Sequence, residues 1–75
     1  MRLLIEGYEV VSNPEGVKET EFIRVDVTDM SEKDIQKTIE EIKVLLQDKE
    51  HYIIRKHICR HDENKSCDIE IIEEK

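Results

Sequence analysis

Cysteine and histidine side chains concentrate near the end of this sequence, at His57, Cys59, His61 and Cys67. Thiolate sulfur and imidazole nitrogen are ligands that zinc prefers in proteins. On a β-strand, residues two apart share a face at a spacing of about 6.6 Å, so His57 and His61 would stand about 13 Å apart and could not bind one ion. At most Cys59, His61 and Cys67 could converge around a turn as three zinc ligands. The fourth ligand would then be Asp62, Glu63, water or a group from a second chain.

The same cysteines have a simpler interpretation, because their spacing matches no closed four-ligand zinc pattern. In that interpretation Cys59 and Cys67 are reduced, partly buried thiols, and the histidines lie on a sheet surface. A register that places His61 opposite Cys67 puts Cys59 opposite Ile69, so we predict no disulfide between the cysteines. A bridge would require residues 60–66 to leave the ladder as a loop.

Oxygen-bearing side chains in the last segment imitate part of a calcium-binding loop. They fill most of its ligand positions, at Asp62, Asn64, Ser66, Asp68, Glu70 and Glu73. The sixth position of such a loop requires glycine for a sharp turn, and here it is Cys67. The residues before the loop also alternate like a strand. We therefore expect no EF-hand, and only weak calcium binding by the acidic turn 62-73.

Catalysis is not expected from this chain. Nucleophilic catalysis needs a nucleophile, a base and an orienting group around a pocket. A fold of 75 residues with one helix rarely encloses a cleft of about 300 Å³ or more. The two glycines, Gly7 and Gly16, build no phosphate-binding loop. We expect no catalytic residue, and no cofactor unless zinc or calcium is bound.

The elements that must position these residues follow from hydrophobic periodicity and turn composition. The pattern predicts strands over residues 2–11, 18–28, 52–61 and 67–73, with a helix after the second strand. Pro14 and Gly16 mark the first turn, and Gly7 inside the first strand indicates a bulge. We expect one α+β domain over residues 1-75, of β-β-α-β-β order, with the helix packed on one face of a four-stranded sheet.

The helix has the clearest signals. Ser31 is a natural N-cap, and Asp34 three residues later has the spacing of a capping box. An apolar stripe at helical spacing follows: Ile35, Ile39, Ile42 and Leu46. The sheet residues predicted to meet that stripe are Ile23, Val25, Val27, Ile69 and Ile71. We expect the helix to end near Asp48 or Glu50.

Charge and hydropathy exclude some classes of binding partner and of cellular location. Charged residues make up 41% of the chain and the net charge is −7, so we expect no nucleic-acid partner, which would need clustered Lys and Arg. The apolar run at the start ends at Glu6, too short for a secretory signal, and no run approaches a membrane span. We expect a cytoplasmic protein. Enrichment in Ile, Lys and Glu favours a thermophilic source.

In several strands, apolar residues occupy both the odd-numbered and the even-numbered positions, so apolar side chains point to both faces of the sheet. One helix covers only one of those faces. We therefore expect an open apolar sheet face that pairs with a second copy as a homodimer or with a protein partner, with Tyr8 and Phe22 as anchors. The function expected by elimination is a non-catalytic protein-interaction or regulatory module. The alternative is a metal-binding domain that uses the Cys59–Cys67 hairpin.

Overall fold

The computed structural model describes residues 1–60 and 64–75. Its elements are β1 (Arg2–Asn13), β2 (Gly16–Asp26), α1 (Glu32–Leu46), β3 (Tyr52–Cys59) and β4 (Asp68–Glu74). The strands form one four-stranded antiparallel sheet. The predicted α+β class, with a four-stranded sheet and a helix, is confirmed for the described residues. The helix and the third strand both end earlier than predicted.

The strand order is β2-β1-β3-β4. Because β1 is antiparallel to both of its neighbours, β2 and β3 run in the same direction, and α1 connects them across β1. β1 pairs with β2 along nearly its whole length but with β3 only over Arg2 to Glu9. The far end of the β1–β2 hairpin therefore extends beyond the other two strands.

The hairpin turn and the bulge follow from local sequence. Asn13 Oδ1 accepts a hydrogen bond from the Glu15 amide at 3.0 Å, which is the Asx-turn that this side chain favours. Gly16 has a φ of 135°, a backbone angle that glycine adopts without steric cost. The register shifts between Gly7 and Tyr8, which confirms the bulge predicted at Gly7.

The helix begins as its cap predicts. Ser31 Oγ accepts a hydrogen bond from the Asp34 amide at 3.2 Å, which satisfies one of the donors left unpaired at a helix start. Glu32 and Asp34 carry negative charge in the first turn, and Lys43 carries positive charge in the last. Both placements stabilise the helix, because each charge interacts favourably with the nearby end of the helix dipole.

The core combines one stripe of α1 with the central strands. Its buried residues are Ile5, Val27, Ile39, Ile42, Leu46, Tyr52 and Ile54. Ile23, Val25 and Ile35 are partly buried against this cluster, as predicted. The prediction that Ile69 and Ile71 join the core is wrong, because their exposed fractions are 47% and 50%. Ile69 is opposite His57 and Ile71 is opposite Arg55, so both side chains lie on the sheet face away from the helix.

No helix in the described part of the chain combines the length and the apolar character needed to cross a membrane.

Candidate metal site

Alternation along β3 places a set of polar residues on one side of the strand. Ile54 belongs to the core, so Arg55, His57 and Cys59 face the other side of the sheet. On the neighbouring strand β1, Glu6 is directly opposite Arg55. The sheet face away from the core therefore carries ionisable groups on its two central strands.

Glu6 is a buried carboxylate on this face, with 1% of its surface exposed. Its Oε1 atom accepts a hydrogen bond from Arg55 Nε at 2.7 Å. Its Oε2 atom lies 3.1 Å from His57 Nδ1 and 3.4 Å from Arg24 Nε. Burial raises the pKa of Glu6, but hydrogen bonds from Arg55 and His57 outweigh that effect and hold the pKa below its usual value. The carboxylate is therefore ionised and fixed in position.

Tyr8 completes the surroundings of Arg55. Arg55 Nη2 donates to the Tyr8 hydroxyl at 2.7 Å, and the guanidinium carbon lies 4.2 Å from the centroid of the Tyr8 ring. Stacking of this kind orients a guanidinium while its donors remain available. Arg55, oriented by Tyr8, therefore holds the Oε1 atom of Glu6, and His57 contacts the Oε2 atom.

His57 has one occupied and one unoccupied ring nitrogen. Because the Glu6 carboxylate accepts, the proton of this hydrogen bond is on Nδ1. In the neutral ring, Nε2 then carries the lone pair. The Nε2 atom is buried and has no hydrogen-bond partner among the described residues. An unsatisfied buried polar atom costs about 1–3 kcal/mol. This nitrogen can therefore act as a metal ligand.

The two cysteines meet next to His57. In the β3–β4 ladder, His57 is opposite Ile69 and Ile58 is opposite Asp68, so the next step places Cys59 opposite Cys67. The predicted register, with Cys59 opposite Ile69, is wrong, because Ile69 is opposite His57. Both cysteines are half-buried and no disulfide joins the described residues. Burial raises the pKa of the Cys67 thiol, and a hydrogen bond with Cys59 adds to the effect.

The three candidate ligand atoms form a compact group. The imidazole nitrogen of His57 and the sulfur atoms of Cys59 and Cys67 all lie within 4.8 Å of one another. Donor atoms of a tetrahedral zinc ion, with bonds of about 2.0–2.3 Å, stand roughly 3.3–3.8 Å apart. The side chains therefore need to move by only about 1 Å to fit that geometry.

The sequence-predicted ligands are only partly those that the structure assembles. Cys59 and Cys67 come together, whereas His61 and Asp62 lie outside the described residues. His57 was excluded because it lies too far from His61 on a strand, but that distance does not exclude His57 from a site with the two cysteines. The signal that would have found it is the spacing of His57 and Cys59, two residues apart on one face of a strand.

The predicted calcium turn finds little support in its described carboxylates. Asp68 pairs with Arg60, and Glu70 pairs with Lys56 at 3.5 Å. Glu73 lies 3.4 Å from Lys43 on the helix. Because these carboxylates are directed to separate basic partners, they do not converge on one ion.

The predicted interface anchors lie in different surroundings. Tyr8 is engaged with Arg55 on the polar face. Phe22 is exposed, next to Lys49, whose Nζ atom lies 5.2 Å from the ring centroid. The structure therefore does not join Tyr8 and Phe22 into one apolar patch.

Comparison with known proteins returns no similar family: neither a protein-family model, nor a curated protein, nor a solved structure matches this chain.

Proposed function

We propose that this domain binds a thiophilic divalent metal ion, with zinc the best fit, through His57 Nε2 and the thiolates of Cys59 and Cys67. The observation that carries the proposal is the grouping of one ligand atom each from His57, Cys59 and Cys67 within 4.8 Å of one another. The Nε2 atom of His57 is also buried and has no hydrogen-bond partner among the described residues. Sulfur and imidazole ligands select zinc over calcium or magnesium, which take oxygen ligands. This is a binding function, and we propose no catalysis.

Glu6 supports the site from behind. Ligand histidines commonly donate their second ring nitrogen to a carboxylate, which fixes the tautomer and the ring orientation. The pair of Glu6 and His57 has that arrangement, with 3.1 Å between Oε2 and Nδ1. The carboxylate also adds negative charge near a site with two thiolates, which favours a divalent cation.

Native mass spectrometry of the reduced protein tests this function. We expect one zinc ion per chain, removed by a chelator and restored by added zinc. Cys59→Ser and Cys67→Ser change one sulfur to oxygen each and should abolish stoichiometric binding. His51→Ala is the matched control, since His51 lies outside the cluster and near the backbone oxygen of Lys75. Equal zinc binding by all four proteins would overturn the proposal.

A second candidate function is a protein-interaction module, favoured by the edge strand β4. Its side chains Ile69, Ile71 and Ile72 are exposed, and an edge strand offers unpaired backbone groups to a further strand. A groove of about 290 Å³ runs beside it, next to α1. Its lining combines apolar residues of three elements with polar residues at Glu32, Gln36, Lys56 and Glu70; the apolar ones are Leu3, Ile5, Ile35, Ile39, Ile71 and Ile72. Sedimentation equilibrium tests whether the occupant is a second copy of the chain.

A further inference from the structure

We propose that the metal site is also a thiol redox switch, in which a peroxide oxidises Cys59 and Cys67 to an intramolecular disulfide and the metal ion is released. This inference rests on the proposed metal-binding function. Its own basis is the placement of the two cysteines, which are the only ones in the chain, opposite each other at the open end of the β3–β4 ladder.

The backbone geometry suits a disulfide. The β3–β4 register, continued by one step from Ile58 and Asp68, pairs Cys59 with Cys67. Directly opposed residues of antiparallel strands have Cα atoms about 4.5–5.5 Å apart. Disulfides form at Cα separations of about 4.4–6.8 Å. The strand pairing therefore already provides the spacing that a bridge requires.

The side chains have room to close that bridge. Their sulfur atoms lie within 4.8 Å of each other, against about 2.05 Å in a disulfide. Cys67 precedes β4, which begins at Asp68, so it lies just outside the regular strand. Both residues are half-buried, which leaves the sulfur atoms within reach of a small oxidant.

The chemistry balances with hydrogen peroxide as the oxidant. One thiolate attacks a peroxide oxygen, so that an S–O bond forms, the O–O bond breaks and hydroxide leaves with a proton as water. The resulting sulfenic acid is attacked by the second thiolate, so that the S–S bond forms and the S–O bond breaks to give a second water. In total, two thiols are oxidised to one disulfide and one peroxide is reduced to two waters.

Metal release follows from the loss of both thiolates. Thiolates are the sulfur species that bind zinc, and a disulfide sulfur has no negative charge to offer. Oxidation leaves His57 Nε2 as the one remaining member of the three-atom group. A reductant would regenerate the dithiol and restore binding.

The test separates this inference from the proposed function. The protein is first loaded with zinc under a reducing phosphine, which tests metal binding alone. After the reductant is removed, a small excess of hydrogen peroxide is added. Zinc release is followed with a chromogenic chelator and the chain by intact mass. We expect one zinc released per chain, a mass lower by two hydrogen atoms, and recovery of zinc binding after addition of dithiothreitol.

His57→Gln provides the second variant. It keeps both thiols while it removes the nitrogen ligand, so it should still form the intramolecular disulfide although its zinc binding is weak. A mass gain from sulfinic acid, a disulfide-linked dimer, or zinc retained after both thiols have reacted would overturn the switch and leave the metal site intact. Failure of the reduced wild-type chain to take up zinc would overturn both proposals.

Discussion

Glu6 is a single buried charge that holds three basic side chains around it. It contacts Arg55, His57 and Arg24 on a face of the sheet opposite to the core. A buried carboxylate without such partners would be costly. Here the partners keep it ionised, and its contact with His57 Nδ1 sets which ring nitrogen carries the lone pair.

Glu6→Gln should weaken zinc binding by about 10–100-fold, the usual effect of losing a carboxylate behind a ligand histidine. The amide keeps the shape of the side chain but lacks the charge that favours a proton on His57 Nδ1. Competition with a chelating dye measures the affinity. Glu9→Gln is the control, since Glu9 lies on the same strand and pairs with Lys49 at 3.6 Å. Equal affinities for the two variants would contradict the role of Glu6.

Asp26 gives a pH dependence at a distance from the cluster. Hydrogen bonds from the Thr28 hydroxyl and amide, and from Arg2, lower the pKa of Asp26 from 3.8 to about 2. Because the pKa is lower in the folded state, the carboxylate stabilises the fold above its ordinary pKa, and this contribution is lost as the pH falls towards 2. The difference in unfolding free energy between the wild type and Asp26→Asn should therefore shrink between about pH 5 and pH 2. Urea denaturation at both pH values measures it, and a constant difference would contradict the assignment.

For single residues, sequence reasoning predicted both proposed sulfur ligands, Cys59 and Cys67, but not the proposed nitrogen ligand, His57. Cys59 and Cys67 stand out by type alone. His57 depends on the register of two strands and on Glu6, which is distant in the sequence and adjacent in the sheet. Pairings of this kind arise from long-range strand order, which local periodicity does not encode.

At the element scale, Gly7 joins the β1 bulge to the packing of α1. A Cβ atom added there would lie 3.0 Å from side-chain atoms of Ile23, Ile42 and Leu46. That distance is shorter than an ordinary contact, and two of the three neighbours belong to the buried core. The absence of a side chain at Gly7 lets the helix lie close to the sheet.

Gly7→Ala should therefore destabilise the fold by about 1–3 kcal/mol, the usual cost of inserting a methyl group into a packed core. Urea unfolding measures the free energy. Ser12→Ala, at an exposed position of the same strand, should change it by less than about 0.5 kcal/mol. An unchanged stability for Gly7→Ala would show that the helix sits further from the sheet than the structure places it.

Elements with strong local signals were predictable, and those that depend on partners were not. The Ser31 cap, the helix stripe and the first hairpin turn follow from adjacent residues, and the structure confirms each. The register of β3 and β4 depends on how many residues between the two strands are unpaired, and composition does not give that number. An assumed tight turn at residues 62–66 placed Cys59 opposite Ile69, whereas Ile69 is opposite His57. The assignment of Ile69 and Ile71 to the core was a separate error, because either register puts Ile69 on the sheet face of His57 and Cys59, away from the helix.

At the scale of the whole molecule, the chain measures 40 × 28 × 14 Å, which fits one sheet layer with one helix. The sheet face away from the core is not uniformly apolar, because Glu6, Arg24 and Arg55 occupy its centre. The exposed isoleucines Ile69 and Ile71 lie at the margin of this face, on the edge strand β4. The second candidate function proposes association along that edge.

Sedimentation equilibrium over a wide concentration range should show a mass above that of the monomer, with β4 as the contact. Ile71→Lys should reduce the association, since a charge on an edge strand opposes strand pairing. Val44→Lys is the control, because Val44 is 62% exposed and belongs to the helix, not to β4. A monomer mass throughout would rule out the homodimer and leave a different protein as the partner.

The most direct test of the metal site is nitrogen-15 NMR of the histidine rings during a zinc titration. The chain has three histidines, and the proposed site uses Nε2 of His57 with the proton on Nδ1. We expect one equivalent of zinc to shift the His57 Nε2 resonance to the metal-bound range while Nδ1 stays protonated and His51 stays unchanged. A His57 ring whose resonances do not move with stoichiometric zinc would contradict the central claim.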